Sequence, residues 1–254
     1  MRDFTFAVYK SFLKELISSG YQFQTLKEFI INPFDKVIVL RHDCDHRPMN
    51  SLLMAQSEYE MGIKSSYYFR IPETFKHNII KDIIKLGHEV GYHYEDLARY
   101  NGDYNKAIIS FKQNLATLRK FYPVETITMH GRPLSKWDSK KIWEKYDFHD
   151  FGIICEPNLV IDFNKVLYFT DTGNLWNSEK YNIRDRIVGL NKYRFSNTND
   201  LKYFLKSRNT KIAVIINAHA ERWNDNLFSW YYKFILQKSK NFAKQFLKNS
   251  EKRN

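Results

Sequence analysis

The sequence is poor in residues that cross-link or break a chain, and each shortage excludes a class of protein. Its two cysteines, Cys44 and Cys155, give no disulfide framework and no zinc-finger spacing, which favours a reducing compartment. With 9 Gly and 6 Pro there is no flexible linker, and no internal repeat is found. We therefore expect a single domain over residues 1–254, and alternation along the strand predicts that Cys44 is a core residue.

Long apolar runs and a signal sequence are also missing. No stretch reaches the ~20 apolar residues of a membrane span, and Lys10, Lys14 and Glu15 interrupt any signal-peptide core. The sequence thus predicts a cytoplasmic protein, with the inner membrane surface as a possible location. Its net charge of +12 favours an anionic partner. The charge is spread along the chain without a nucleic-acid-binding motif, so we expect no nucleic acid.

Strands and helices alternate along the chain, and the hydrophobic fraction of 43% is globular. We predict strands at 37–41, 64–71, 89–94, 126–129, 151–154, 166–170 and 211–217. The predicted helices cover 5–18, 49–61, 78–86, 103–122, 136–146 and 201–206, with a short segment TLKEFI before the first strand. This order indicates an α/β fold with a parallel sheet, and about seven strands suit closure into a (β/α) barrel.

The stretch from Val37 to Asp45 carries the strongest functional signal. Four apolar residues from Val37 to Leu40 predict a strand buried on both faces, and the next five include Arg41, His42, Asp43 and Asp45. Asp43 and Asp45 share one face of a strand, where their repulsion favours a bound cation. The alternative is an ordinary turn and helix start, since Pro48 follows closely.

Further polar residues follow the other predicted strands. They are His93, Glu95 and Asp96; His130 and Arg132; Asp171; and His219. The carboxyl ends of parallel strands meet at one rim, which is where such folds carry their chemistry. Two imidazoles and a carboxylate make a catalytic zinc site with an open position, and a second carboxylate serves as general base. For His88 we favour a packing role.

These residues resemble the motifs of the polysaccharide deacetylase family, carbohydrate esterase family 4. The first motif is similar to Asp43 and Asp45, and the second to the run from Gly87 to His93, GHEVGYH. The third and last motifs are similar to Gly131-Arg132-Pro133 and to Asn217-Ala218-His219. The resemblance extends over 37–223 and implies an irregular seven-stranded (β/α) barrel core, flanked by an N-terminal helical segment at 1–33 and a C-terminal amphipathic helix at 224–254.

The resemblance implies a role for each matching residue. Asp43 would be the catalytic base, His219 the catalytic acid with Arg132 beside them, and Asp45 and His93 ligands of one divalent metal ion, with zinc favoured. The family's second histidine is replaced here by Leu97, which cannot bind a metal. We expect His130 to replace it, with Glu95 or Asp96 as the alternatives.

The expected activity is removal of an N-acyl group, acetyl or formyl, from an amino sugar or a related amide. The acylated sugar would be nucleotide- or lipid-diphosphate-linked, in surface polysaccharide biosynthesis. The expected substrate-binding residues are Arg41, Glu95, Asp171, Trp176 and Trp223, and Trp137 is a further candidate for stacking on a sugar ring. The alternative function, supported by Leu97, is a sugar-binding module that keeps the barrel without catalysis.

The C-terminal segment from Leu227 onward is aromatic early and basic late. We expect its aromatic face to pack on the barrel. The alternative is peripheral contact with an anionic membrane surface.

Overall fold

The structure is a computed structural model that describes residues 2–132, 135–177, 189, 193–208, 211–228, 230–232 and 235. Within these residues the chain is an α/β protein with one parallel sheet. Its strands are β1 Gln22–Gln24, β2 Val37–Cys44, β3 Ser66–Phe69, β4 Glu89–Tyr94, β5 Ile127–Met129, β6 Val166–Thr170 and β7 Ala213–Asn217. The strand order is β5-β4-β3-β2-β7-β6, with β1 paired to the first half of β2.

Helices connect these strands. They are α1 Phe6–Ser18, α2 Leu26–Ile31, α3 Pro48–Tyr59, α4 His77–Lys85, α5 Asp96–Arg99, α6 Tyr104–Arg119, α7 Pro157–Val160 and α8 Thr198–Ser207. Short 3₁₀ helices cover Ser139–Glu144, Phe148–Phe151 and Ala220–Arg222. Thr25 and Glu28 form a capping box at α2, and Asp103 caps α6. In both caps a side-chain oxygen accepts a hydrogen bond from an otherwise unpaired backbone N–H of the first turn.

The two faces of β2 belong to different cores. Val37 and Val39 pack in a small cluster with Tyr68 and Tyr168, whereas Ile38 and Leu40 join the large core that includes residues of the surrounding helices. Successive side chains of a strand point to opposite faces. The same alternation assigns Arg41 and Asp43 to the face of Val39, and His42 and Cys44 to the helix-covered face.

The prediction of an α/β fold with a parallel sheet is confirmed, whereas barrel closure is seen only in part. The strand predicted at 151–154 is absent. Its place is taken by the 3₁₀ helix Phe148–Phe151, which Asp147 caps and Gly152 ends at a φ of 66°. Only an isolated parallel bridge from Cys155 to Thr126 follows. Within the described residues, β5 and β6 are therefore the ends of the hydrogen-bonded sheet.

Two other elements differ from the predictions. The helix predicted at 136–146 is the shorter 3₁₀ helix Ser139–Glu144, and β1, too short and polar to show a pattern, was not predicted. Of the helix predicted at 224–254, residues 224–226 are described and are not helical, and residues 227, 228, 230–232 and 235 are helical. The rest of the segment lies outside the described residues. Among the described helices, none has the length and apolar character to cross a bilayer.

Candidate metal centre and active site

Three side chains from three different strand ends converge at the carboxyl edge of the sheet. Asp45 follows β2, His93 is in β4 and His130 follows β5, and their ligand atoms all lie within 4.8 Å of one another. Nε2 of His93 and Nε2 of His130 are 3.2 Å and 3.5 Å from Oδ1 of Asp45. The set consists of two imidazoles and a carboxylate, as zinc and similar divalent cations require.

His93 is oriented by the strand beside it. Its Nδ1 is 3.1 Å from the carbonyl oxygen of Thr128 and 2.7 Å from the Thr128 hydroxyl oxygen. Because a carbonyl oxygen only accepts, Nδ1 carries the hydrogen and Nε2 of the neutral ring keeps its lone pair. β4 and β5 are paired with His93 opposite Thr128, which fixes this contact. Nε2 therefore faces Asp45 as a ligand would.

His130 is oriented by Glu95. The Nδ1–H of His130 donates to Oε2 of Glu95 at 2.5 Å, and Arg70 and Arg99 hold the same carboxylate. Burial works against the charge of Glu95, but His130 and Arg70 outweigh it and lower its pKa to about 2. Such a carboxylate behind a histidine is the usual outer support of a metal ligand. Glu95 thus supports His130, rather than replacing it or binding substrate as expected from the sequence.

The surroundings of the Asp45 carboxylate show whether these residues fit a cation. Its Oδ1 is buried and has no hydrogen-bond partner, although three ring nitrogens approach the carboxylate. A buried carboxylate oxygen without a partner is costly. Burial opposes its ionisation, but His130 and His93 hold the pKa of Asp45 well below its ordinary range. A cation between these acceptors would remove the cost, so the donor set fits a divalent metal.

Asp43 lies beside this centre on the same face of β2. Its Oδ2 is 3.9 Å from Nε2 of His93, and Arg41 holds it with two hydrogen bonds of 2.9 Å and 2.6 Å. Asn217 and Thr128 donate to it as well. Burial disfavours the charge, but Arg41 and His93 keep the pKa of Asp43 below its ordinary value. Arg41 is itself buried and orients Asp43, so it is not placed to contact a substrate.

His219 approaches from the opposite side of the centre. Its Nε2 is 4.0 Å from Oδ2 of Asp45, and its Nδ1–H donates to Asp171 at 2.7 Å. Burial and Arg222 lower its affinity for a proton, but Asp171 and Asp45 outweigh them and raise the pKa of His219. Asp171 is fully buried and also accepts from Trp223. It therefore positions His219 instead of binding substrate.

The expected stacking role of Trp176 and Trp223 does not agree with their location. Their relative exposures are 1% and 0%, in a cluster with Phe4 and Tyr9 behind the site. An indole enclosed on both faces cannot stack on a sugar ring. Trp137 packs over Gly102, where a Cβ would lie 2.3 Å from its ring.

The remaining predicted residues lie at the rim or away from it. Arg132 is 42% exposed, with Nε 3.9 Å from Oε2 of Glu95, and the adjoining Pro133 lies outside the described residues. Asp96 is buried and bonded to Tyr92 and Ser110, so this alternative ligand is already satisfied elsewhere. Leu97 is fully buried among apolar residues.

A buried polar network on the other face of β2 was not predicted. Nε2 of His42 lies 2.8 Å from Oε1 of Glu58, and the Ala218 carbonyl oxygen accepts from its Nδ1–H at 3.0 Å. Tyr67 also donates to Glu58, at 2.8 Å. Burial opposes the charge of Glu58, but His42 lowers its pKa to about 2. His88 bonds to the Ala55 carbonyl at 2.9 Å, in line with the packing role expected for it.

Comparison with solved structures gives matches that include two bacterial proteins. The chain is similar to the catalytic domain of a peptidoglycan N-acetylglucosamine deacetylase from Eubacterium rectale at 16% identity and a TM-score of 0.45, covering 82% of this chain and 86% of that one. It is also similar to a CE4 esterase from Streptococcus mutans at 13% identity and a TM-score of 0.46, covering 88% and 86%. No family model and no curated protein matches the chain.

Proposed function

We propose that this chain is a metal-dependent hydrolase that removes an N-acyl group from an amino sugar. One observation carries the proposal: Asp45, His93 and His130 direct bare ligand atoms at one point, between the buried carboxylate of Asp43 and the His219–Asp171 pair. A purely structural cluster would satisfy these atoms with donors. Here Oδ1 of Asp45 has none.

A divalent cation would be held by Oδ1 of Asp45 and by Nε2 of His93 and of His130. Zinc suits this donor set, since imidazole and carboxylate are its common ligands. When bound there, the cation supplies Lewis acidity, which polarises a carbonyl oxygen facing it. The outer partners Thr128 and Glu95 fix both rings.

Asp43 is proposed to take the proton of the attacking water. It stays ionised because Arg41 and Asn217 hold it, and it lies against the ligand His93. The same contacts weaken it as a base, so its role depends on geometry more than on basicity. Arg41 keeps Oδ1 and Oδ2 of Asp43 in one orientation.

His219 is proposed to donate a proton to the departing nitrogen. Its Nδ1–H is engaged by Asp171, which leaves Nε2 directed at the centre. Asp171 and Asp45 raise the pKa of this imidazole above its ordinary value, which favours the protonated form that an acid needs. The base and the acid thus flank the same point from two sides, as amide cleavage requires.

The proposed substrate carries an anionic group. The net charge of +12 and the exposed Arg132 beside the centre favour a sugar linked to a nucleotide or to a lipid diphosphate over a neutral polymer. Acetyl and formyl groups are both compatible with this proposal.

The test is release of acetate or formate by metal-loaded protein from acylated sugar nucleotides, glycolipids and free oligosaccharides. Asp43→Asn is expected to lower turnover at least 100-fold while metal content is unchanged. Asp82→Asn, an exposed carboxylate on α4 paired with Lys85, is the matched control and should act as wild type. If no substrate is cleaved and Asp43→Asn binds sugar as wild type does, the chain is a binding module instead.

A further inference from the structure

The helical segment that begins ten residues after β7, at Leu227, exposes an aromatic face. Backbone at 227, 228, 230–232 and 235 is helical, and Phe228, Tyr231, Tyr232 and Ile235 are 84%, 53%, 65% and 63% exposed. At about 100° per residue these four side chains fall within a single arc of about 100°. A soluble monomer rarely leaves such a contiguous apolar face uncovered.

The opposite side of this helix is fixed to the protein. Trp230 lies about 160° to 200° around the helix from Phe228, its Nε1–H donates to the Asp3 carbonyl at 2.7 Å, and Arg2 lies 6.0 Å from the ring centroid. Asn224 donates its N–H to the Phe4 carbonyl at 2.9 Å. The aromatic face is therefore held outward by contacts behind it. Trp230 thus packs on the protein as expected of the aromatic residues, whereas Phe228 and Tyr231 do not.

The sequence beyond this face is basic. After Ile235 it contains Lys238, Lys240, Lys244, Lys248, Lys252 and Arg253, against the single acid Glu251. Aromatic side chains beside a cluster of lysines are the chemistry of an interfacial helix on an anionic bilayer. A protein partner whose surface carries both charges would not explain why this segment is almost entirely basic.

We propose that this helix docks the protein on an anionic lipid bilayer through Phe228, Tyr231, Tyr232 and Ile235. The helix begins at Leu227, and only residues 223–226 separate it from the 3₁₀ helix Ala220–Arg222 that follows His219 at the carboxyl edge of the sheet. Docking would thus bring the active-site rim next to the bilayer. This last step rests on the proposed function and favours a lipid-linked amino sugar as substrate. Attachment itself does not depend on catalysis.

The test is co-sedimentation of the full chain with phosphatidylcholine vesicles, with and without one-quarter phosphatidylglycerol, at low and high salt. Anionic vesicles are expected to bind at least tenfold more protein than neutral ones, and 0.5 M salt should reverse most of the binding. A Phe228→Ser/Tyr232→Ser double variant should bind at least fivefold less. Tyr59→Ser, at a tyrosine of 58% exposure near the C-terminal end of α3, is the control and should bind as wild type.

Asp43→Asn should still bind vesicles if the surface acts as proposed, whatever the outcome of the activity assay. Equal binding by the double variant and wild type, or no sedimentation with anionic vesicles, overturns the proposal. Measured mass that rises with concentration in wild type, and stays monomeric in the double variant, would assign the face to a protein interface and overturns it too.

Discussion

Nε2 of His93 lies 3.2 Å from Oδ1 of Asp45, although neither atom has a hydrogen to share when the ring is neutral. Nδ1 carries the ring hydrogen because it faces the Thr128 carbonyl. Two acceptors this close require a cation between them, either a proton on the ring or a metal. A metal in place of the proton would distinguish the centre from an ordinary His–Asp pair.

Metal removal is the first expected consequence. Stripping the metal should leave the acceptors of Asp45, His93 and His130 facing one another and lower the melting temperature. Adding zinc back at 100 times its dissociation constant should raise the free energy of unfolding by about 2.7 kcal/mol. Thermal denaturation of stripped and reloaded protein checks this. Asp45→Asn should show no difference between the two states, whereas Asp147→Asn, at the exposed Asp147–His149 pair, should keep the full difference.

Glu95 is expected to control metal affinity without being a ligand. Glu95→Gln weakens the acceptor that holds Nδ1 of His130, so zinc affinity should fall about 10- to 100-fold, as measured by competition with a chromophoric chelator. The control is Glu73→Gln, which also loses a contact to Arg99 but does not touch His130. If both variants bind zinc equally well, Glu95 has only a structural role.

Asp171 is expected to act through His219. In Asp171→Asn the acceptor that orients Nδ1–H is replaced by an amide, and the support for the charged imidazole is lost. Turnover should fall by about 10² to 10⁴, and the alkaline limb of the pH profile should move to lower pH. Zinc content should not change, since neither residue belongs to the ligand set. Unchanged turnover with an unchanged profile would contradict the role given to His219.

Glu156 predicts a pH dependence of stability. Burial raises the pKa of this carboxyl from 4.5 to about 7, and its Oε2 is buried without a partner. The folded state thus favours the protonated form of Glu156. The stability that this form contributes is fully present below pH 4.5 and is lost as the pH rises through about 7. The difference amounts to about 3 kcal/mol.

Glu156→Gln, a neutral replacement of similar shape, should match wild type near pH 5 and be more stable by up to about 3 kcal/mol near pH 8.5. Urea denaturation at both pH values measures this. Glu144→Gln, on the exposed end of a 3₁₀ helix, should show no such difference. A variant that is less stable than wild type at pH 8.5 would show that the charged form of Glu156 is the one the fold uses.

The sequence predicts those elements whose pattern is local and strong. Apolar runs identify β2, β6 and β7, because buried parallel strands carry largely unbroken apolar sequence. The strand prediction at 151–154 is wrong because Asp147 and Gly152 delimit a 3₁₀ helix that ends at Phe151, so that only Cys155 reaches β5 through an isolated bridge. Barrel closure is non-local, and no window of sequence encodes it.

The members of the site were predicted better than their roles. Alternation along β2 and the polar strand ends selected Asp43, Asp45, His93, His130 and His219, which the structure brings together. The outer partners could not be separated from ligands or substrate contacts. Whether Glu95 faces a metal or the back of His130 depends on Arg99, four residues further along the chain, and on Arg70, which lies on another segment. Trp176 and Trp223 were misassigned because tertiary packing, invisible in sequence, encloses both rings.

Metal content tests the central claim most directly. We would measure zinc and other divalent metals by plasma mass spectrometry on chelator-free wild type, His93→Ala, His130→Ala and the surface control His149→Ala. The account predicts about one metal per chain in wild type and His149→Ala, and loss of metal in the other two. Metal retained in His130→Ala, or absent from wild type even after reloading with zinc, would contradict the Asp45, His93 and His130 centre.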